Sequence, residues 1–154
     1  MKKARRAARE LALNVLYQWD AAGVPFEEAL ETATEFSDLS GLRSRDPALA
    51  DQAIEYARVL ATGVRNKISE LDSHIDRLAE GWPVERQPAV DRNILRIALY
   101  EIIYVDSVPP IVAVDEAVEL AKKILHCGIW EVCERCPRRF SARERRRSRS
   151  MKSN

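Results

Sequence analysis

ARRAARELALNVLYQWD, residues 4–20, is the stretch on which the fold class turns. Ala8, Leu11, Ala12, Val15, Leu16 and Trp19 recur at three- and four-residue steps, which puts them on one face of an α-helix. Gly23 and Pro25 stop that helix. Outward from it, residues 26–36 read as a second, short helix, and the polar run SDLSGLRSRD at 37–46 reads as a loop. Pro47 suits a first helical turn, with Asp46 as its N-cap. The pattern Leu49, Ala53, Tyr56, Ala57, Leu60, Val64, Ile68, Leu71, Ile75, Leu78 then predicts helix to about residue 79, with Gly63 as the expected break or kink.

Trp82-Pro83 and Gln87-Pro88 mark a connection with room for one helical turn. Residues 89–104 carry Val90, Ile94, Leu95, Ala98, Leu99, Ile102 and Ile103, a wide apolar stripe that is expected to be buried. Val108, Pro109 and Pro110 end it, and a last helix is expected at 111–124. There Val114, Ala117, Val118 and Ala121 should point inward, and Asp115, Glu116, Glu119 and Lys122 outward. No segment alternates with period two. The predicted class is all-α, a compact bundle of helices.

Composition agrees. Five glycines in 154 residues are too few for a turn-rich β protein. No apolar run reaches the length of a membrane span. Glu10, Asn14 and Gln18 interrupt the apolar stretch behind the basic start, so a secretory signal is not expected and the cytoplasm is the default. The formal net charge of +1 conceals a division. Residues 124–154 hold nine Lys/Arg against three Glu, and the remainder is acidic. Cys127, Cys133 and Cys136, the three cysteines of the chain, all lie in that tail.

The most pointed local feature is the cluster Lys2, Lys3, Arg5, Arg6 and Arg9. Arg5 and Arg9, like Lys2 and Arg6, are four residues apart, so the five are expected on one broad face opposite the apolar stripe. Cations at a helix N-terminus oppose the macrodipole, so helix stability alone does not select them, whereas phosphate groups would. Signals for an enzyme are weak. His74 stands between Asp72 and Asp76, a pattern more common on an ordinary surface than in a catalytic site. No nucleophile motif or glycine-rich phosphate loop is present. Asp115, Glu116 and Glu119 read as favourable dipole placement early in the last helix. His126 with the three cysteines is a nominal zinc set, but its spacing matches no common zinc ribbon.

Three stretches in order, ARRAARELALNVLYQWD (4–20), GWPVERQPAVDRNILRIALYEI (81–102) and DSVPPIVAVDEAVELAKK (106–123), resemble the NusB family of transcription antitermination factors. The resemblance covers residues 1–123. It implies an all-α RNA-binding domain with an N-terminal subdomain at about 1–80 and a C-terminal one at about 81–123. It also implies no catalytic activity and no cofactor, and the residue spacing separately leaves no metal site expected. The implied partners are single-stranded box A RNA, the small-subunit ribosomal protein NusE, and the elongating RNA polymerase with other Nus factors, notably on ribosomal RNA operons. The family's arginine-rich motif falls on Lys2, Lys3, Arg5, Arg6 and Arg9, the cluster found from charge and period. Tyr17 is a further, weaker candidate near the RNA or partner surface, with a core-edge aromatic as the equal alternative.

After Lys123 the chain departs from the family pattern, which continues in the manner of FSTAESGKFVNGVLG. Here ILHCGIWEVCERCPRRF follows, from residue 124. Permitted codons for that peptide, read after removal of one leading nucleotide, spell FSTAESGKFVNGVLGA. The expectation is a one-nucleotide insertion just after Lys123, real or a misread base, that makes 124–154 an out-of-frame, poorly ordered basic tail and removes a packing partner of the 94–103 stripe. The cysteines would then be accidents of translation.

Two other functions are compatible with the sequence. One is an RNA-binding helper domain of an RNA cytosine methyltransferase, for which 154 residues leave no room for the catalytic domain. The other is a helical protein-interaction module without RNA binding. Glu80, Glu85, Asp91 and Glu101 are candidates to face a basic ribosomal protein, with solvated surface the plainer reading. Monomer and homodimer both remain open.

Overall fold

The computed structural model describes residues 2–125. These form α1 (Lys2–Asp20), α2 (Phe26–Glu35), α3 (Ser40–Arg43), α4 (Pro47–Asn66), α5 (Ile68–Leu78), a 3-10 turn (Val84–Arg86), α6 (Ala89–Tyr104) and α7 (Pro110–Leu125). No strand occurs among the described residues, and the all-α class holds. The tail cysteines, His126 and the expected disorder of the tail lie outside the described residues.

The chain divides into two compact units between Lys67 and Ile68. That division comes one helix earlier than the expected boundary near residue 80, because α5 packs against α6.

In the first unit α1 and α4 meet through small side chains. Ala4, Ala8, Ala50, Ala53 and Ala57 are buried in one cluster with Leu11 and Leu39. Alanine on both surfaces lets the two backbones approach closely. The helices run in the same direction. Arg5, near the start of α1, lies over Tyr56 of α4. Towards the other ends, Arg65 of α4 stacks over Phe26, whose ring meets Trp19 of α1 edge-on at 5.9 Å. The intervening α2 returns the chain, after a bend at Gly23, whose φ of 69° suits glycine. Asp46 caps α4 as expected, its carboxylate accepting from the Ala48 N–H at 2.9 Å.

Two expectations fail in this unit. The stretch 37–46 is not all loop. Leu39 and Leu42, three residues apart, pack on the α1–α4 cluster and draw the chain into the single turn of α3. The break in the long helical pattern falls at Lys67, not Gly63. Gly63 stays helical, and the Lys67 N–H is shared between the carbonyls of Gly63 and Val64 at 3.1 and 3.2 Å, a common way to end a helix.

In the second unit α6 is buried almost all round. Arg96 donates to Asp72 of α5 from Nε at 2.7 Å and from Nη2 at 2.9 Å, and to Asn93 Oδ1 from Nη1 at 3.0 Å. Asp91 and Glu101, expected on a solvated surface, are buried, and so is Glu116 of α7, which was expected outward. Charged side chains that hydropathy assigns to solvent are therefore taken inside the unit. Conversely, Ile103 is 38% exposed, so the apolar stripe of α6 is not wholly covered. Because α7 starts at Pro110, Asp115 and Glu119 lie beyond its first turn, too far along for the dipole role expected of them. The connection before α6 is fixed by polar bonds: Asp76 Oδ1 accepts from the Val84 N–H at 2.8 Å, and Gln87 Nε2 donates to the Trp82 carbonyl at 2.9 Å.

Candidate nucleic-acid interface

α1 advances about 100° per residue, and this sorts the basic cluster. Lys2, Lys3 and Arg6 are exposed. Lys2 and Lys3 have no ion pair among the described residues. Arg5 is half-buried, its guanidinium carbon 5.1 Å from the centre of the Tyr56 ring, a cation–π distance. Arg9 is only 4% exposed. It points between the directions of Leu13 and Leu16, about 40° and 20° away round the helix, and both leucines are buried. The five cations thus do not share one face as expected. Three stand in solvent, one leans on an aromatic ring, and one is taken into the fold.

Tyr17 is 44% exposed. It lies on the same side of α1 as Lys3 and Arg6, about 16 Å further along the axis than Arg6. Half-buried Glu10 sits between them on that side. The resulting surface is a helical ridge with positive charge at its start and a phenol ring three turns on. Such a ridge can set cations against successive phosphates and offer the ring to a base. No acidic residue occupies the first turn of α1, so the helix's own amides add to the positive potential there. Sequence reasoning missed Tyr56 as the rest for Arg5. Its place in the apolar pattern of α4 marked it as core only.

The alternative chemistry around His74 does not assemble. Asp72 is held by Arg96, Asp76 by the Val84 amide, and the His74 Nδ1 lies 3.3 Å from Arg77 Nη2. Among the described residues the polar contact of the imidazole is thus to a cation, and neither Asp72 nor Asp76 is bonded to it. No group of three or more metal-ligating side chains occurs among the described residues, and none of their helices is long and apolar enough to cross a membrane.

The NusB family model matches residues 6–127. A transcription antitermination protein NusB from Rubrobacter xylanophilus is 44% identical over 118 residues, 77% of this chain and 76% of that one. Its namesake from Symbiobacterium thermophilum is 46% identical over 119 residues, with the same coverage. Among solved structures, the antitermination factors NusB and NusE in complex with dsRNA give a TM-score of 0.69 at 27% identity, covering 92% of this chain and 96% of that one. A structure of T. maritima NusB gives a TM-score of 0.65 at 28% identity, covering 90% of each chain.

Proposed function

The chain belongs to the NusB family of transcription antitermination factors, which are not enzymes, and from that premise we propose that it binds box A RNA of nascent transcripts together with the ribosomal protein NusE. In this reading the complex joins the elongating RNA polymerase in the cytoplasm, with other Nus factors, and suppresses termination on ribosomal RNA operons. Support comes from the similar NusB–NusE–dsRNA assembly. The observation that carries the reading is the exposed cationic start of α1, where Lys2, Lys3 and Arg6 stand on the same side as Tyr17.

Each residue has a role within it. Lys2, Lys3 and Arg6 meet phosphates. Arg5 does so from a fixed position, because Tyr56 limits where its guanidinium can go. Tyr17 stacks on a base. Arg9 serves the fold. The four phosphate contacts from α1 to single-stranded RNA contribute about −2.8 to the slope of log K on log salt.

Anisotropy titration of a box A oligonucleotide, with NusE present, tests the reading. The triple variant Lys2→Gln, Lys3→Gln, Arg6→Gln should take about 2.1 off the steepness of the slope while leaving helicity unchanged. Full affinity and an unaltered slope in that variant would place the RNA elsewhere.

A further inference from the structure

We propose that the RNA-binding surface continues from α1 onto the α3 turn, where Arg43 and Arg45 take further phosphates of the same strand. The inference rests on the reading of α1 as the RNA-binding helix, and it extends that site to a second element.

The topology brings the two elements together. α1 and α4 run in the same direction, so the α3 turn that leads into α4 lies at the end of the first unit where α1 begins. Leu39 and Leu42 seat the turn there. Both belong to the apolar cluster that contains Ala4, Ala7 and Ala8 of α1. Arg43 directly follows Leu42, and Arg45 precedes the capping residue of α4 by one position. The two arginines are therefore displayed from a turn anchored on the same helix that carries Lys2, Lys3 and Arg6.

Their surroundings leave them available. Both are exposed, and neither has a hydrogen bond or ion pair from its side chain among the described residues. The two carboxylates of the segment are committed to backbone work. Asp38 accepts from the Ser40 hydroxyl at 2.6 Å and the Ser40 N–H at 3.3 Å, and Asp46 accepts from the Ala48 N–H. They shape the turn and do not neutralise the arginines by contact. Elsewhere in the unit an arginine with a nearby acid pairs with it, as Arg65 does with Glu27 at 3.4 Å. Two guanidiniums without a side-chain partner among the described residues, on a turn seated against the first turns of α1, suit a phosphate chain, which a planar fork can grip at two points.

The test is the salt dependence of box A RNA binding by the full chain with NusE. For the double variant Arg43→Gln, Arg45→Gln, the slope should lose about 1.4, so that a tenfold drop in salt widens the gap from the unmodified protein about 25-fold. Arg43→Lys with Arg45→Lys keeps both charges and should retain the slope. Arg58→Gln, an equally exposed change further along α4, should leave it unaltered. A slope unmoved by the double Gln variant, but reduced by the Lys2, Lys3 and Arg6 triple variant, would overturn the extension and leave the α1 reading standing. A slope moved by neither would overturn both. An equal loss in Arg58→Gln would reduce the effect to general charge and overturn the extension.

Discussion

Arg96 of α6 grips Asp72 of α5 at two points, Nε to Oδ1 at 2.7 Å and Nη2 to Oδ2 at 2.9 Å. The arginine is 5% exposed and the aspartate 24%, so the pair sits at the inner edge of the second unit. It joins two helices where an apolar contact would have had no preferred register. Removing Asp72 strands most of a buried cation. Asp72→Ala is expected to cost about 3 kcal/mol in urea unfolding, at the low end for a buried pair because the carboxylate is partly solvated. Arg96→Lys should also destabilise, since an ammonium cannot reproduce the two-point contact. A loss within experimental error for Asp72→Ala would show the pair to be incidental.

Arg6 and Arg9 are one helical turn apart and should behave oppositely. Arg6→Glu leaves the fold intact and weakens RNA capture, because Arg6 is exposed on the cationic face. Arg9→Glu places a carboxylate where a guanidinium is buried, and its melting temperature should fall steeply before any RNA is added. Thermal unfolding followed by circular dichroism separates the two. If Arg9→Glu melts with the unmodified chain, Arg9 is not a structural residue.

Much of this fold was readable in advance because its signals are local. The apolar period fixed α1 and α6 to within about two residues at each end, and Asp46-Pro47 announced the start of α4 through a side-chain cap and a preset φ. What could not be read depends on tertiary partners. Nothing in RRAARE says which arginine will be covered, because that follows from the packing around Leu13 and Leu16. Glu101 and Asp91 look like surface residues until α6 proves to be buried on nearly every side. The α3 turn was hidden because Leu39 and Leu42 are surrounded by serines, arginines and aspartates, and two leucines are too few for a periodic signal. Within the candidate site, the position of the cationic helix was legible and the division of labour among its five cations was not.

The alanines between α1 and α4 set their separation, and larger residues there should be poorly tolerated. Ala8 and Ala53 are fully buried. Ala8→Leu or Ala53→Leu must push the helices apart or force strained rotamers, at an expected cost of about 1–3 kcal/mol. Because the displacement would also shift Arg5 on Tyr56, RNA affinity should fall along with the melting temperature. A leucine accommodated with no change in either measurement would show slack in the interface.

Asp38 supplies a pH prediction. Hydrogen bonds from the Ser40 hydroxyl and N–H favour its charged form and hold its carboxyl below the ordinary aspartate range. A depressed folded-state pKa means that the stabilisation is present above the unfolded pKa and is lost as pH falls through the folded one. Ser40→Ala removes the larger of the two bonds and should raise the Asp38 titration midpoint in an NMR pH series. An unmoved midpoint would mean that the hydroxyl does not act on the carboxylate in solution.

The surface of the second unit bears on the departure from the family pattern expected after Lys123, although the family model itself matches through residue 127. Ile103, Tyr104, Ile111 and Val112 are exposed there, at the end of α6 and the start of α7. We propose that the reading frame shifts by one nucleotide after Lys123 and that the in-frame peptide, of the form FSTAESGKFVNGVLGA, would cover these apolar side chains. Covering two of those side chains would add about 3–6 kcal/mol at about 1.5–3 kcal/mol each, a large share of a typical stability of about 5–15 kcal/mol. Deleting one nucleotide at that point in the gene should therefore give a chain that melts at a higher temperature and aggregates less. Coding DNA whose other frame lacks this peptide would refute the shift directly, and equal melting temperatures for the two chains would refute its structural consequence.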